Sequence, residues 1–257
     1  MIKTRKVAPS GTIVIDRPNT HNALSRELIR QLIEAFGDFH REQSVRAVIL
    51  TGSGATFCSG LDLKELHAIS QESDSLEKWS DIADELQELV EVMLRFPKPI
   101  IASVDGTVFG AGMALVMACD LVVASPKSQF VVNASRFGLV SGLVAPLLAF
   151  RCGASAVSRL VLGLETLDTS EAHRIGLVHH VVPPELTWAK AHEIANVIAT
   201  GAAESIQMSK RLLNEMIGES LLSQLMSGSA MMATACSTEA AAEGLAAFQA
   251  KRPPKFP

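Results

Sequence analysis

The sequence predicts an α/β fold, because short apolar strands alternate with helical segments and two glycine-bearing turns each carry a strand into a helix. Beyond Ala154 the pattern becomes mostly helical. Thr12-Ile13-Val14-Ile15 reads as a strand, ended by Asp16-Arg17-Pro18-Asn19. Apolar residues at Leu24, Leu28, Leu32 and Ile33 or Phe36 predict a helix over 24–39, with Asn22 or Ser25 as its cap. Ala47-Val48-Ile49-Leu50 reads as a buried strand leading into Thr51-Gly52-Ser53-Gly54. A short helix is expected over 61–69 and a longer amphipathic one over 75–96, stopped by Pro97-Lys98-Pro99. Strands over 100–104 and 120–124 bracket a helix over 112–118, and one further strand is expected over 178–182. The Ala- and Met-rich end (Met216, Met226, Met231, Met232, then 238–250) reads as packing helices. These elements divide the chain into a core over 1–195 and a helical region over 196–257.

At 257 residues, 48% of them hydrophobic and 19% charged, the chain can bury a sizeable core and has apolar surface left for subunit contacts. A net charge of −4 with no basic tract argues against nucleic acid as the main partner. No apolar run is long enough for a membrane span. The basic start, Met1-Ile2-Lys3-Thr4-Arg5-Lys6, is interrupted by Pro9, Ser10 and Gly11 before any signal core can form. The four cysteines (Cys58, Cys119, Cys152, Cys236) show no Cys-x-x-Cys pair and read as reduced thiols of a cytoplasmic protein, without a metal.

The chemistry-bearing stretch is Val104-Asp105-Gly106-Thr107-Val108-Phe109-Gly110-Ala111-Gly112-Met113-Ala114-Leu115. Gly110 and Gly112 strip side chains from a helix start, where backbone N–H groups lack intrahelical partners and the dipole favours negative charge. It is not a dinucleotide fingerprint, because Leu115 stands where the third glycine would be. A second loop, from Gly52 through Phe57-Cys58-Ser59-Gly60-Leu61-Asp62-Leu63-Lys64, also follows a buried strand and opens a helix. Two such turns can aim one N–H each at a single oxygen, which is how an oxyanion hole is built.

Together these loops resemble the crotonase (enoyl-CoA hydratase/isomerase) superfamily. The similarity extends to Arg17-Pro18 with His21-Asn22-Ala23-Leu24, Phe96-Pro97-Lys98-Pro99-Ile100-Ile101-Ala102, Ala118-Cys119-Asp120, 169–178 and the ending at 248–256. The resemblance implies a crotonase-type ββα spiral with a C-terminal helical trimerisation region, giving a homotrimer or a dimer of trimers. It implies an acyl-CoA ligand, with coenzyme A arriving as part of the substrate and no separate cofactor. The implied oxyanion donors are the backbone N–H groups of Leu61 and Ala111. Ala23, Gly110, Ala114 and Ala134 fall on substrate-lining positions, Lys64 on one that reaches a CoA phosphate, and Phe248 and Lys251 on positions near the adenine of a neighbouring subunit.

One departure from the family pattern concerns the proton. Ala114 and Ala134 occupy the two positions where hydratases of the family carry glutamates, and Gly142 stands where some isomerases carry an aspartate. Alanine neither activates water nor moves a proton. Asp62, Glu65, His67, Ser135, Arg136 and Ser141 are the nearby polar residues to weigh as substitutes. Three functions follow as expectations. The first is a hydratase or isomerase in the broad family sense, with a non-standard base. The second is a decarboxylase of malonyl-type thioesters, whose enolate needs the oxyanion hole more than a base. The third is a non-catalytic acyl-CoA-binding protein.

Overall fold

A computed structural model describes residues 1–217 and 219–256, with the side chains of 215–219 outside the description; the Met216 side chain is therefore not placed. Six strands form the larger sheet: β1 (Ile2–Val7), β2 (Ser10–Ile15), β3 (Ala47–Gly52), β5 (Ile100–Val104), β7 (Leu121–Ala124) and β10 (His180–Val181), in that spatial order. Only β1 and β2 run antiparallel there; the remaining neighbours are parallel. A second sheet orders β4 (Thr56–Cys58), β6 (Thr107–Phe109), β8 (Gln129–Val131) and β9 (Thr166–Asp168). Each pass of the chain lays one strand in the large sheet, one short strand in the small sheet, and then returns through helix, as in β3–β4–α2–α3 and β5–β6–α4. Here α1 is Arg26–Arg41, α2 Leu63–Ile69, α3 Ser75–Arg95 and α4 Ala111–Ala118. This is the expected spiral of ββα turns.

Alternation along the central strands divides the apolar residues between two layers. Val48, Leu50, Ile100, Ala102, Val122 and Ala124 face the main core, whereas Ala47, Ile49, Ile101 and Val123 meet α8 (Thr187–Ala199) on the opposite face. Helix α1 buries Leu28, Ile29, Leu32 and Phe36, each worth about 1.5–3 kcal/mol of transfer free energy. Its cap is Ser25, whose hydroxyl accepts the Leu28 N–H at 3.3 Å. Asn22 has another task, given below.

Two strand groups escaped the sequence reading. β1 carries Lys3, Arg5 and Lys6 among exposed positions, which suits an edge strand that must not pair further but hides any alternation. β4, β6, β8 and β9 are three residues each, too short to show a period.

Beyond the spiral come α5 (Val144–Cys152), α6 (Ala154–Val157), α7 (Thr169–Arg174), α9 (Ala203–Arg211), α10 (Glu219–Cys236) and α11 (Glu239–Gln249). Helix α11 folds back over its own subunit: a Cβ on Gly244 would lie 2.2 Å from the Phe137 carbonyl oxygen, so only glycine lets the helix seat there. Thr238 caps α11, its hydroxyl accepting the Ala241 N–H at 3.1 Å. Among the described residues no helix is long and apolar enough to cross a membrane.

Candidate active site

The two glycine turns meet. Gly60 has φ +87°, and a Cβ built on it would lie 3.0 Å from Ala111 N and 3.1 Å from the Phe109 carbonyl oxygen. The first loop is thus pressed backbone to backbone on the second. Leu24 N–H donates to the Gly60 carbonyl at 2.7 Å and Asp62 N–H donates to the Leu24 carbonyl at 2.9 Å. In such a parallel bridge the intervening Leu61 presents its N–H to the other side, toward the cavity it lines. Ala111 opens α4, so its N–H is one of the helix's orphan donors.

Helix α4 is apolar all round because it is buried on nearly every side. Its C-terminal end is held by Arg151, whose guanidinium donates to the Met117 carbonyl at 3.0 Å and the Cys119 carbonyl at 3.3 Å. A cation at that end complements the dipole, leaving the positive N-terminus at Gly110–Ala111 to face the cavity. Asp120, just beyond, is structural: one carboxylate oxygen accepts the Ile100 N–H at 2.7 Å and pairs at 2.6 Å with the buried ammonium of Lys210. Burial pushes the Lys210 ammonium below its ordinary pKa, and Asp120 opposes that shift.

The first loop is fixed by its neighbours in the 17–24 turn. Asn22, fully buried, donates through its amide to the Ser53 carbonyl at 2.9 Å and the Thr56 carbonyl at 2.6 Å, and accepts the Arg17 N–H at 2.8 Å. Arg17 in turn donates to the Ala23 carbonyl at 2.6 Å and reaches Asp62 at 3.4 Å. Asp62 also caps α2, accepting the Lys64 N–H at 3.2 Å. Both carboxylate oxygens are therefore engaged in structure.

These loops open on a cleft of about 480 Å³. It is lined by Ala23, Leu61, Lys64, Gly110, Ala111, Ala114 and Ala134, so the structure brings seven of the nine sequence-selected positions together. Phe248 is the eighth: it lines its own subunit's cleft and meets Phe137 edge to face at 5.9 Å. The backbone contact at Gly244 sets this geometry by drawing α11 onto the Phe137 turn. Lys251 is exposed past the end of α11 and is not among the lining residues. Sequence reasoning did not place Asn133, Phe137, Met232 or Cys236 at the site, and it named His21 only as part of a turn motif, yet all five line the cleft. Met232 and Cys236 arrive on α10, from a part of the chain with no local motif to announce it.

The emptied acid–base positions are open to the cleft: Ala114 is completely buried in its wall and Ala134 begins a 3-10 turn, Ala134–Phe137. Gly142 also lines it, but a Cβ there would lie 2.1 Å from the Gly228 carbonyl oxygen, so this position is closed to any side chain. The substitutes fare poorly. Glu65 accepts the Arg26 N–H at 3.2 Å, its carboxyl pKa raised by burial, and it does not line the cleft. His67 is also absent from the lining, as are the exposed Ser135 and Arg136. Ser141 does line it. Cys236 is a thiol that burial pushes up to about 11, hence neutral near pH 7. Asp62 is the only carboxylate among the described lining residues. Among the described residues no cluster of three or more His, Cys, Asp or Glu is arranged to hold a metal.

Known proteins resemble this chain along nearly its whole length. A family model described as enoyl-CoA hydratase/isomerase matches residues 8–257. A Rhizobium meliloti protein described as a probable enoyl-CoA hydratase is 31% identical over 251 residues, covering 96% of this chain and 93% of its own. The 2,3-dehydroadipyl-CoA hydratase of Escherichia coli is 29% identical over 245 residues, covering 95% and 93%. Among solved structures, an enoyl-CoA hydratase/isomerase from Pseudoalteromonas atlantica superimposes with a TM-score of 0.85 at 27% identity, covering 100% of this chain and 99% of that one. One from Xanthobacter autotrophicus gives 0.88 at 25% identity, covering 96% and 93%.

Proposed function

Since this chain belongs to the enoyl-CoA hydratase/isomerase family, we propose that it binds an acyl-CoA thioester and processes it through an enolate whose oxygen is held by the Leu61 and Ala111 N–H groups. The observation that carries this reading is the pairing of a complete oxyanion turn with alanines at both acid–base positions, all on one cleft. Hydration needs a group to activate water and another to deliver a proton. Asp62, the only carboxylate among the described lining residues, is committed to Arg17 and to the cap of α2, and the lining imidazole of His21 sits 3.5 Å from the Thr56 hydroxyl. Chemistry that generates the enolate without removing a proton fits this site better. Decarboxylation of a malonyl-type thioester is that chemistry: the Cα–carboxylate bond breaks, its electron pair forms the enolate, and Cα then takes a proton from solvent. Preorganised donors aimed at the developing oxyanion supply the main stabilisation, and losing one such donor costs about 100–1000-fold in rate.

The apolar part of the cleft (Leu86, Phe109, Leu139, Leu143 and Val144) supports an acyl chain of modest size, while Lys64, exposed at the first loop, supports contact with a CoA phosphate. Assembly as a homotrimer or dimer of trimers belongs to the same proposal, supported by Met208, Leu213, Met226 and Met231, all more than half exposed on the C-terminal helices. A cytoplasmic location is in keeping with four cysteines that form no disulfide. The second reading, a non-catalytic acyl-CoA binder, is favoured by the same two alanines.

The test is incubation with methylmalonyl- and ethylmalonyl-CoA, following released CO2 and thioester mass. Conversion to propionyl- and butyryl-CoA supports the enzymatic reading. Tight binding with an unaltered thioester pool selects the binder instead, and absence of binding overturns both.

A further inference from the structure

The cleft is open at one end and closed at the other. Lys64 and Phe248 stand exposed at its mouth, whereas Leu86, Ala114, Leu143 and Val144 are at most 3% exposed and wall its far end with apolar surface. Helix α10 is seated against that closed end by a contact between two glycines. A Cβ on Gly142 would lie 2.1 Å from the Gly228 carbonyl oxygen, and a Cβ on Gly228 would lie 2.1 Å from the Gly142 carbonyl oxygen. Neither position has room for a side chain, so helix and loop meet backbone to backbone. Two further ties hold the helix. Leu221 and Leu225 are buried in the main core, and the Ser229 hydroxyl donates to the Asp84 carboxylate of α3 at 2.9 Å.

Residues four apart share a helix face, so Gly228, Met232 and Cys236 form one row along α10. Gly228 is pressed onto the loop, and the next two members of the row line the cleft. Met232 reaches the loop as well: its Cγ lies 2.8 Å from where a Cβ on Gly142 would stand. Its side chain therefore fills the space that a side chain at 142 would need, beside the buried Leu143 and Val144. Met232 is half-buried and packs against the main core, so it belongs to the closed end and not to the mouth.

A thioester held at the Leu61 and Ala111 N–H groups, with its CoA leaving past Lys64, directs its acyl tail toward this closed end. We propose that Met232 is a specificity-determining residue: its side chain ends the space open to the tail and so sets the longest straight-chain acyl group that binds well. This rests on the acyl-CoA reading above and is independent of which bond the site breaks. Each methylene moved from water into apolar surroundings raises affinity about fourfold. Once the tail meets Met232, a further methylene must fold back or displace the thioether, and the gain stops. Methionine changes rotamer readily. Its Cα stays in place, because the glycine contact, the Ser229–Asp84 bond and the buried leucines pin the helix on either side.

The test is calorimetry on the full-length protein with straight-chain saturated acyl-CoAs from butyryl- to dodecanoyl-CoA. Wild-type affinity should rise about fourfold per methylene and then stop rising at a definite chain length. Met232→Ala removes Cγ, Sδ and Cε, so the rise should continue for about two or three carbons more, with affinity for butyryl-CoA unchanged. Met232→Leu conserves volume and should leave the stopping length where it is. Met232→Phe should stop the rise at a shorter chain, and it keeps the test readable if the alanine variant fails to fold. A stopping length shared by wild type, Met232→Ala and Met232→Phe overturns the role of Met232 and leaves acyl-CoA binding intact. A wild-type affinity still rising at dodecanoyl-CoA does the same. Failure of the wild type to bind any of these thioesters overturns the underlying reading as well.

Discussion

Gly60 and Ala111 are in backbone contact: a methyl group on Gly60 would lie 3.0 Å from the Ala111 nitrogen, at a residue whose φ of +87° already disfavours a side chain. Two loops separated by about fifty residues in sequence are thereby locked into one oxyanion-binding turn. Gly60→Ala should push the loops apart and reduce turnover by about 100–1000-fold, the range associated with loss of one oxyanion donor. Circular dichroism separates this from global unfolding, and steady-state rates measure it.

Ala111→Pro removes the second donor more directly, because proline has no N–H. Proline is tolerated at the first position of a helix, so the protein should remain folded. Its affinity for butyryl-CoA should drop sharply in calorimetry; a folded variant with undiminished affinity would show that Ala111 is not a donor.

The sites legible in sequence were those written in local backbone chemistry. The glycine spacing around Gly60 and Gly110 located the turns, whereas Asp62, weighed from sequence as a substitute for the missing acid, emerged as the cap of α2 only in the structure. The absence of carboxylates at Ala114 and Ala134 was readable only because the family resemblance gave those positions meaning. What was not legible came from tertiary packing. The folding of α11 over its own cleft depends on Gly244 meeting the Phe137 carbonyl, a contact over a hundred residues apart in sequence that no periodicity encodes. Asn133 was hidden for a related reason, since a polar residue before a turn looks like a cap until its side chain is seen to face elsewhere.

Crotonyl-CoA hydration should fall well below about 1 per second, the lower end of common turnover numbers. The cause is that Ala114 and Ala134 face the cleft and Asp62 is held by Arg17. Loss of enoyl absorbance with freshly purified protein measures it.

Removing one partner of the buried Asp120–Lys210 pair strands the other charge, and such losses cost about 3–5 kcal/mol. Asp120→Ala should therefore lower the urea midpoint substantially, with Ile100 N–H left unpaired as well.

Glu65 offers a pH test. Burial raises its carboxyl pKa in the folded state, so its contribution to stability is present below the unfolded pKa and is lost as pH rises through the folded one. Glu65→Gln keeps an acceptor for the Arg26 N–H and removes the charge. Relative to wild type it should gain stability between pH 4 and pH 7, read from urea midpoints at each pH.

The account turns on a site that holds an enolate oxygen and carries alanines at both of the family's acid–base positions, and solvent deuterium tests whether any other lining group, His21 included, removes a proton. In D2O, ethylmalonyl-CoA should yield butyryl-CoA carrying one deuterium at Cα, while butyryl-CoA supplied as such should emerge unlabelled after prolonged incubation. Enzyme-dependent exchange of the α-protons of supplied butyryl-CoA would contradict the account, because it would show that a group in the cleft removes a proton from Cα.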